Sequence, residues 1–374
     1  MDLAALRLSN QRIANPPPAT PAEVVGWLGA VQAQDYLGAL WAVGLRTPGA
    51  TEVDIEKALA DRTILRTWPM RGTLHFVAAA DARWMLELMT PRVLARNRLR
   101  LKREFDIDEA VVSRSRDLFL EALQGGRQLT RDAMYEVLED GKVSAQGQRG
   151  LHILWWLAQE GLICFGVREG KQQTFVLLDE WVPRPKRMEK DEALAELAKR
   201  YFTSHGPATL QDFVWWSGLT VTDAKAGIDG ARTHLLPETI GGQTFWLPPS
   251  IDVKKQKPPA VHLLAPYDEY TVAYRDRSAV LDPAQAKRVA TGNGIFHPIL
   301  VIDGQVVGTW KRTLKRGEVV IVPNPFAPLS RPQRRALAPV ARRYGEFLGL
   351  EVVLEPETSA STSPPMAGGS SSIS

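Results

Sequence analysis

The order of helix and strand signals constrains this chain more than any other feature. Apolar residues recur at helical spacing in short segments, and each group of segments is followed by short apolar runs bounded by turn residues. This order occurs three times between residues 1 and 250, although the residues themselves do not repeat. Helix, helix and strand hairpin is the order of a winged helix, so the sequence predicts three such units in tandem.

The first unit begins after a proline-rich entry. Thr20 is typical of a helix N-cap, and Pro21 suits the first helical position. Apolar residues at helical spacing after Pro21 predict a helix that continues into Gln32–Tyr36. A second short helix over 52–60 and a strand over 73–78 follow, which completes the first winged-helix order.

The second and third units repeat this order of elements. In the second unit the patterns predict helices over 108–123, 131–139 and 147–160, then strands over 162–167 and 173–178. In the third unit they predict helices over 189–203, 208–217 and 220–230, then a strand or wing over 239–247.

Residues 259–355 have a different character, because strand-like runs dominate. These runs are Val261–Ala265, Pro298–Ile302, Gln305–Trp310 and Val319–Val322. Asp303 and Gly304, between two of the runs, form the strongest short hairpin signal in the chain. A basic amphipathic helix is predicted over 331–348, and the Ser-, Pro- and Gly-rich residues 357–374 are predicted to be disordered.

These patterns together predict a mixed α+β fold that is mainly α. Three tandem winged-helix units surround a concave basic surface, and a C-terminal sheet-and-helix segment completes the body. The predicted divisions are 1–105, 106–186 and 187–250 for the three units, 251–356 for the β-rich segment with its hairpin, and 357–374 for the tail.

Composition excludes several classes of protein. Cys164 is the only cysteine, so no intrachain disulfide can form, and with no Cys/His cluster we expect no metal site. We also expect no cofactor, because dinucleotide and P-loop signatures are absent. There is no apolar run long enough to cross a membrane and no signal-peptide pattern, so we expect a cytoplasmic protein.

Positive charge is modest overall but clustered. The net charge is +4 and the sequence pI is about 9.1. Four arginines recur at helical spacing and would share one helix face: Arg92, Arg96, Arg100 and Arg103. Further clusters are Arg184, Lys186 and Arg187; Lys254, Lys255 and Lys257; Lys311, Arg312, Lys315 and Arg316; and Arg331, Arg334 and Arg335. Any one cluster is as well explained by a solvated face, but five together favour a groove that follows nucleic-acid phosphates.

Two blocks near the N-terminus carry a specific resemblance. One is Gly-Ala-Val-Gln-Ala-Gln-Asp-Tyr over 29–36, and the other is Arg-Thr-Trp-Pro-Met-Arg-Gly-Thr-Leu-His over 66–75. Four further blocks follow in order, over 170–175, 201–209, 267–270 and 307–312. Over roughly residues 3–355 the chain resembles the AlkZ-type DNA glycosylases of bacteria.

This resemblance implies an activity and a site. Members of that family are winged-helix enzymes that remove N7-alkylated purines from DNA, some of them from interstrand crosslinks. Their signature is a glutamine–aliphatic–glutamine triplet, which implies that Gln32 and Gln34 are the catalytic residues here. A related branch has Asp at the third position, so Gln34 places this chain in the Gln-x-Gln branch.

Glutamine chemistry agrees with a cationic substrate. An amide oxygen is too weak a base to deprotonate water, but it can hold and orient a water molecule. An N7-alkylpurine carries a positive charge and therefore leaves as a neutral base without prior protonation. Positive charge then develops on the deoxyribose, where an amide carbonyl can solvate it. The triplet contains no lysine that could form a Schiff base, so a monofunctional enzyme is predicted.

Several site assignments have alternatives. Residues i and i+2 do not share a helix face, so Gln32 and Gln34 converge only if the helix ends near them. Asp35 would be a stronger base, but it could equally be a helix-end residue paired with an arginine. His75 could contact phosphate or a flipped nucleotide, or it could be buried and bonded to backbone. Trp68 could stack on the lesion or fill the core.

DNA contacts are predicted from charge and from the hairpin signal. They are assigned to Arg71, Arg92, Arg96, Arg100, Arg103, Asp303, Gly304, Lys311 and Arg312. In the family a hairpin is thought to enter the DNA groove, which implies this role for the turn at Asp303 and Gly304. Asp268 and Glu269 are expected to form structural salt bridges, with Arg275 or Arg277 as partners.

The expected partner is double-stranded DNA with alkylated purines, bound by a monomer in the cytoplasm, in association with the nucleoid and without membrane contact. The alternative is a non-catalytic winged-helix DNA-binding regulator. A regulator would need a base-reading recognition helix and usually a dimer interface, and the sequence contains no zipper heptads. A metal-free hydrolase unrelated to DNA is disfavoured by the basic clusters.

Overall fold

The computed structural model describes residues 1–250 and 259–357 of the 374-residue chain. It is a mixed α/β structure, about 48% helical. The basic cluster at Lys254, Lys255 and Lys257 and the predicted disordered tail beyond Glu357 lie outside the described residues. Glu357 itself accepts a hydrogen bond from the Leu329 N–H at 3.1 Å. In the described part of the chain, no helix has both the length and the apolar character that crossing a bilayer requires.

The N-terminal part alternates short helices with a three-stranded sheet. Its elements are α1 (Leu3–Asn10), α2 (Pro21–Leu28), β1 (Val31–Gln32), α3 (Tyr36–Leu45), α4 (Glu52–Ala60), β2 (Ile64–Met70), β3 (Thr73–Ala78) and α5 (Ala82–Phe105). The sheet order is β1-β3-β2, and both pairings are antiparallel. The predicted helix over 52–60 and strand over 73–78 are confirmed.

The start of α2 is as predicted, but its end is not. Thr20 and Glu23 form a reciprocal capping box in front of Pro21. The predicted continuation of this helix into Gln32–Tyr36 is wrong, because α2 ends at Leu28 and Gly29 adopts a positive φ of 80°. Glycine tolerates this conformation without a steric penalty, so the chain reverses and Val31 pairs with Phe76 of β3. Gln32 therefore lies on a strand.

The same order of elements recurs twice. The second set contains α6 (Glu109–Leu123), β4 (Leu129–Thr130), α7 (Arg131–Asp140), α8 (Arg149–Gln159), β5 (Ile163–Phe165), β6 (Thr174–Leu177) and α9 (Leu178–Trp181), with sheet order β4-β6-β5. The third set contains α10 (Lys190–His205), α11 (Leu210–Ser217), α12 (Val221–Gly230), β7 (Leu236–Ile240) and β8 (Gln243–Leu247). A single bridge between Ala208 and Trp246 stands in the place of its first strand.

The C-terminal segment is built on a five-stranded sheet. Its elements are β9 (Val261–Leu264), α13 (Glu269–Val272), α14 (Ala286–Val289), β10 (Ile299–Ile302), β11 (Gln305–Lys315), β12 (Glu318–Pro325), α15 (Arg331–Leu348) and β13 (Glu351–Leu354). The strand order is β13-β12-β11-β10-β9, with only β12 and β13 parallel. The hairpin at Asp303 and Gly304 is confirmed, and β11 extends to Lys315, beyond its predicted end.

The hydrophobic cores do not follow the predicted divisions of the chain. Side chains from α1 to α4 share one core with the C-terminal sheet and α15. The third set of elements shares a second core with β3 and α5. The second set packs around a third core, which also includes Trp68 and Leu74 from the N-terminal sheet. The N-terminal part is therefore a hub against which the other three segments pack.

An ion pair without solvent exposure joins this hub to the C-terminal segment. Arg46, which follows α3, donates to both carboxylate oxygens of Asp268, at 2.9 and 2.8 Å. The same guanidinium donates to the Gln11 and Ala42 carbonyls at 2.8 Å, and Asp268 also accepts from the Tyr270 N–H at 2.9 Å. The predicted pairing of Asp268 with Arg275 or Arg277 is wrong. A buried carboxylate needs a partner that is itself desolvated, and Arg46 meets this requirement.

Removing one partner of this pair should destabilise the fold strongly. We expect Asp268→Ala to lower the free energy of unfolding by about 3–5 kcal/mol, because it leaves the Arg46 charge buried without compensation. Urea unfolding followed by circular dichroism measures this change. The matched control is Asp61→Ala in the exposed pair with Lys57, where we expect a loss below about 1 kcal/mol. Similar losses for the two variants would contradict the structural importance of the buried pair.

Candidate active site at the Gln32–Gln34 strand

Gln32 is the last residue of β1, and Gln34 lies two residues further on, in the bend that leads to α3. Gln32 is directly opposite His75 and is 8% exposed, whereas Gln34 is exposed to solvent. The Ala33 N–H donates to the Leu74 carbonyl at 2.7 Å, so contact with β3 continues past Gln32. The Leu74 N–H in turn donates to Gln34 Oε1 at 3.5 Å. Both glutamines therefore lie against β3.

The amide of Gln32 is held by a chain of hydrogen bonds. Arg71 Nη2 donates to Gln32 Oε1 at 3.1 Å and lies 3.3 Å from His75 Nε2. His75 Nδ1 lies 2.9 Å from the Thr73 carbonyl oxygen, which can only accept. Nδ1 therefore carries the proton, and Nε2 offers its lone pair to Arg71. This arrangement fixes Gln32 Oε1 toward Arg71.

His75 is a neutral part of this chain of hydrogen bonds. The side chain has no solvent exposure, and burial, with a further contribution from the Arg71 charge, lowers the pKa of its imidazole to about 3. Of the two interpretations of His75, the buried and backbone-bonded one agrees with this geometry. A neutral ring without solvent contact is poorly suited to binding phosphate.

The Arg71 side chain is held against its neighbours in the protein rather than extended toward solvent. It lies in the turn between β2 and β3 with a φ of 54°, followed by Gly72 at 74°. Its side chain packs against Gly218 at the end of α11, and burial lowers the pKa of its guanidinium. The guanidinium is directed at Gln32 and His75. Its predicted contact with DNA stays untested.

A buried carboxylate supports Gln32 from the C-terminal segment. Glu269 is 1% exposed and accepts hydrogen bonds from the Gln32 N–H at 3.0 Å and from the Trp216 indole N–H at 2.9 Å. His205 Nε2 lies 3.4 Å away. Burial alone would raise the pKa of Glu269, but the adjacent His205 ring and the Gln32 N–H outweigh it and hold that pKa below its usual range.

Asp35 has a structural role in this arrangement. Its carboxylate accepts from the Gly38 N–H at 2.6 Å and caps α3. Arg312 Nη2 lies 3.7 Å from the same carboxylate. Asp35 is therefore a helix-end residue paired with an arginine, and its side chain is 42% exposed. A catalytic role for Asp35 stays untested.

Arg66 holds the backbone between the two glutamines. Its Nη2 donates to the Ala33 carbonyl at 2.9 Å, and the guanidinium lies over the Tyr36 and Phe165 rings at 5.3 and 4.9 Å. Trp68, on the same strand, is 6% exposed and packs on Phe165 with a 5.0 Å centroid distance. The core interpretation of Trp68 agrees with this packing.

The arginine face of α5 is partly neutralised. Arg92 donates to the Gly218 carbonyl at 3.2 Å, while Arg100 and Arg103 pair with Glu104 at 3.5 and 3.0 Å. Arg96 is exposed, and among residues 1–250 and 259–357 it has no hydrogen bond or ion pair. Arg96 is thus the member of the face with most freedom to meet a phosphate.

The turn predicted to enter DNA packs within the protein. Gly304 is buried against Ala4 of α1, and its carbonyl accepts from the Tyr270 hydroxyl at 2.7 Å. Asp303 accepts from the Ala260 N–H at 2.8 Å. The next hairpin, β11–β12, ends in an exposed turn at Arg316 and Gly317. DNA contact by Asp303 and Gly304 stays untested.

Lys311 and Arg312 differ in their freedom. Lys311 is exposed on β11. Arg312 is largely occupied, because it hydrogen-bonds the Tyr344 hydroxyl and pairs with Asp35. Among the described residues, no three His, Cys, Asp or Glu side chains come close enough together to hold a metal ion.

Three supporting residues were not predicted as part of the site: Arg66, Trp216 and Glu269. Arg66 and Glu269 lie in the sequence blocks that carry the family resemblance. Membership of these blocks was the only sequence signal that could have assigned them to the site. Spacing gives no such signal, because Gln32 and Glu269 are 237 positions apart. Glu269 was expected to form a structural salt bridge with Arg275 or Arg277, whereas its carboxylate accepts from the Gln32 N–H and the Trp216 indole.

The state of His75 can be measured directly. We expect its ring to remain neutral and protonated at Nδ1 from pH 5 to pH 8, because the folded pKa is about 3, far below the unfolded value of about 6.5. Long-range ¹H–¹⁵N NMR of histidine-labelled protein reports both properties. The lowered pKa of His75 also makes a contribution to the free energy of unfolding that is present above pH 6.5 and is lost as the pH falls from 6.5 toward 3. A ring that titrates near pH 6.5 in the folded protein would refute this arrangement.

Comparisons with known proteins show the family to which this chain belongs. A family model described as DNA glycosylase AlkZ-like matches residues 25–347. The chain is 29% identical over 350 residues to an interstrand DNA cross-link repair glycosylase of Streptomyces sahachiroi, and the match covers 86% of this chain and 89% of that protein. The fold is similar to the solved Streptomyces sahachiroi DNA glycosylase AlkZ, with a TM-score of 0.78, 25% identity, and coverage of 95% of this chain and 98% of that one. The chain therefore belongs to the AlkZ-like DNA glycosylase family.

Proposed function

We propose that this enzyme hydrolyses the N-glycosidic bond of cationic N7-alkylpurines in double-stranded DNA, with Gln32 and Gln34 as its catalytic residues. The observation that carries the proposal is the Gln32 amide, held by Arg71 beside the exposed Gln34. The two carboxylates close to these amides are engaged elsewhere: Asp35 caps α3, and Glu269 accepts from the Gln32 backbone N–H.

The reaction needs little acid or base catalysis. The bond between C1′ of the deoxyribose and N9 of the purine breaks, and its electron pair moves onto the purine and neutralises the positive charge. A water oxygen forms the new bond to C1′ and releases its proton to solvent. Gln34, whose amide oxygen meets the Leu74 N–H only at 3.5 Å, would orient this water. Gln32 Oε1 accepts one bond from Arg71 and would turn its second lone pair to the electron-poor sugar.

Charge balance supports this assignment. Positive charge develops on the deoxyribose, and the Arg71 guanidinium behind Gln32 would oppose it if it were uncompensated. The Glu269 carboxylate, bonded to the Gln32 N–H, supplies the opposite charge. Glu269 is buried and Arg71 is only partly exposed, so solvent screens these two charges weakly.

The substrate size is a further part of the proposal. The Streptomyces sahachiroi relative is named as an interstrand DNA cross-link repair glycosylase. We propose that this chain also accepts crosslinked purines, either in general DNA repair or in self-resistance to a genotoxin. Excision of N7-methylguanine and unhooking of an N7-linked crosslink are separable in a gel assay, so the two substrates can be scored independently.

We also propose that the three helix–helix–hairpin sets are winged-helix units over 1–105, 106–186 and 187–250, arranged around a concave basic surface. Their order of elements and the sheet orders β1-β3-β2 and β4-β6-β5 support this assignment. A single chain then supplies the DNA surface that a regulator builds from two copies, so we propose that it acts as a monomer. Arg96 and the exposed turn at Arg316 are the basic groups that we place on the phosphates.

Substitution of either glutamine should remove excision. We expect both Gln32→Ala and Gln34→Ala to slow excision, because the lost amide acts mainly in the transition state. For the more sensitive of the two residues, the excision rate should fall on the order of 100-fold or more. The measurement is abasic-site formation in duplex DNA with one N7-methylguanine, with DNA affinity and melting temperature recorded beside it. Gln34→Asp should retain activity, since the sister branch has a carboxylate there.

Asp35→Asn serves as the matched control for the glutamine variants. The amide can still cap α3, so we expect excision to persist. Loss of excision in Asp35→Asn with two active glutamine variants would move the catalytic role to Asp35. A parent protein that binds DNA but is inactive on N7-methylguanine and on other cationic adducts would favour the non-catalytic regulator.

Salt dependence tests the basic surface. If the clusters neutralise phosphates, the logarithm of the affinity for undamaged duplex should fall with the logarithm of the salt concentration, by about 0.9 per phosphate contacted. We expect Arg96→Glu with Arg100→Glu to weaken binding to all sequences alike and to make this slope shallower. Arg127→Glu with Arg232→Glu, at two exposed arginines outside the predicted clusters, makes the same change in net charge and is the control. Equal effects of the clustered and control variants would argue against a defined phosphate-binding groove.

A further inference from the structure

Four side chains form a row of aromatic rings interrupted by a guanidinium. The guanidinium carbon of Arg277 lies 5.5 Å from the Trp215 ring centroid and 4.9 Å from that of Phe296. Tyr267 continues the row, with its ring centroid 6.1 Å from that of Phe296. We refer to Trp215, Arg277, Phe296 and Tyr267 as the stacking platform.

The first end of the stacking platform borders the candidate active site. Trp215 lies on α11 next to Trp216, whose indole donates to Glu269, the carboxylate under Gln32. At the end of the same helix, Gly218 packs closely against the Arg71 side chain, which leaves little room for a side chain at this position. The Trp215 end of the platform is thus adjacent along the chain to Trp216, which bonds to the carboxylate that holds Gln32.

The second end of the stacking platform reaches the same site from the other side. Tyr267 adopts a φ of 58° directly after Pro266. Pro266 packs on Gly38 so closely that an added Cβ would lie 2.7 Å from its ring. The Gly38 N–H donates to the Asp35 carboxylate. The Tyr267 end of the platform therefore adjoins the residues that follow Gln34.

One ring of the platform, Trp215, is exposed and held in place, and the other three members are half-buried. Trp215 is 44% exposed, whereas the adjacent Trp216 is fully buried. The Trp215 indole donates to the Val272 carbonyl at 3.0 Å, which fixes the orientation of the ring. Phe296 follows the exposed residues Gly294 and Ile295 in the loop before β10. An oriented aromatic ring that remains in contact with solvent is suited to a ligand with a flat face.

Arg277 has a donor without a protein partner. Its Nε donates to the Thr271 carbonyl at 2.7 Å. Its Nη2 is buried, yet among the described residues it meets no acceptor. Because Nη2 has almost no contact with solvent, it offers no donor to a ligand, and Arg277 contributes to the platform through the position of its guanidinium beside the two rings.

We propose that the stacking platform binds a nucleobase that has left the DNA stack, with the base against Trp215 and Phe296 and beside the Arg277 guanidinium. This inference rests on the proposed function, because it requires DNA to lie across the Gln32–Gln34 site. Every nucleobase has a π-face, so stacking on aromatic rings and on a guanidinium does not depend on the alkyl group. The ligand is either the damaged base or the partner base that has lost its pair.

Two uncleavable duplexes distinguish these two bases. One carries the fluorescent base 2-aminopurine opposite a tetrahydrofuran abasic-site analogue, which mimics the orphaned partner. The other carries 2-aminopurine paired with thymine at the position of the damaged base. The reference is the same duplex with adenine in place of 2-aminopurine and thymine opposite it. None of them has a cationic leaving group, so the binding result does not depend on whether the enzyme excises N7-alkylpurines.

We expect tighter binding to one of the two probe duplexes than to the reference. Trp215→Leu and Phe296→Leu keep apolar bulk but remove the ring face, and each should weaken binding to that probe on the order of 5- to 100-fold, with affinity for the reference unchanged. Trp215→Phe and Phe296→Tyr should restore the preference. Quenching of 2-aminopurine fluorescence on binding should decrease in the leucine variants and return in the conservative ones. The probe with the larger effect identifies the bound base.

Trp27→Leu is the matched control, because it breaks a similar pair in which Arg12 lies 4.1 Å from the Trp27 ring, outside the platform. We expect it to leave the probe preference intact. A parent protein without a preference for either probe would overturn the proposal, and so would leucine variants that keep the preference or that weaken binding to all three duplexes equally. Loss of excision in Gln32→Ala with an intact probe preference would separate catalysis from base binding.

Discussion

The buried pair of Arg46 and Asp268 is the interaction on which the rest of the structure depends. Two charges removed from solvent are tolerated only when their remaining hydrogen-bonding groups are satisfied, and here the Gln11 and Ala42 carbonyls and the Tyr270 N–H do so. The pair fixes the turn before α13 against α3. Because Glu269 follows Asp268 directly, the same turn delivers a second carboxylate to the Gln32 N–H. Fold and site are therefore joined through two adjacent acidic residues with different partners.

Around Gln32, hydrogen bonds hold charges and dipoles in place. Arg71 bonds to the side-chain oxygen of the glutamine and Glu269 to its backbone N–H, and the neutral His75 ring accepts from Arg71 while its own proton bonds to backbone. For the function proposed above, this arrangement suits a leaving group that already carries its charge, because such a base needs no protonation before it leaves.

The surface around this site combines charge with aromatic faces. The arginines of α5 do not form an uninterrupted positive stripe, since Glu104 pairs with Arg100 and Arg103, so Arg96 and the β11–β12 turn carry more of the free charge. Trp215 and Phe296 add ring faces beside the glutamines. Phosphate contacts alone would hold any DNA alike. If the stacking platform binds a base as proposed, its aromatic faces beside the two glutamines add a preference for DNA in which a base has lost its stacking partners.

Local signals in the sequence determined much of the architecture. The Thr20 cap in front of Pro21, the turn at Asp303 and Gly304, and the order of helices and hairpins all depend on neighbouring residues, and the structure contains them. The ordered blocks also identified the family and the Gln-x-Gln triplet. Helical periodicity nevertheless placed Gln32 on a helix, because a buried strand and an apolar helix segment look alike over a few residues. Only the tertiary structure decided that Gly29 ends α2 and that β1 pairs with β3. It alone also brought Asp268 to Arg46 across 222 positions and Glu269 to Gln32 across 237, since spacing along the chain carries no information about contacts at such separations.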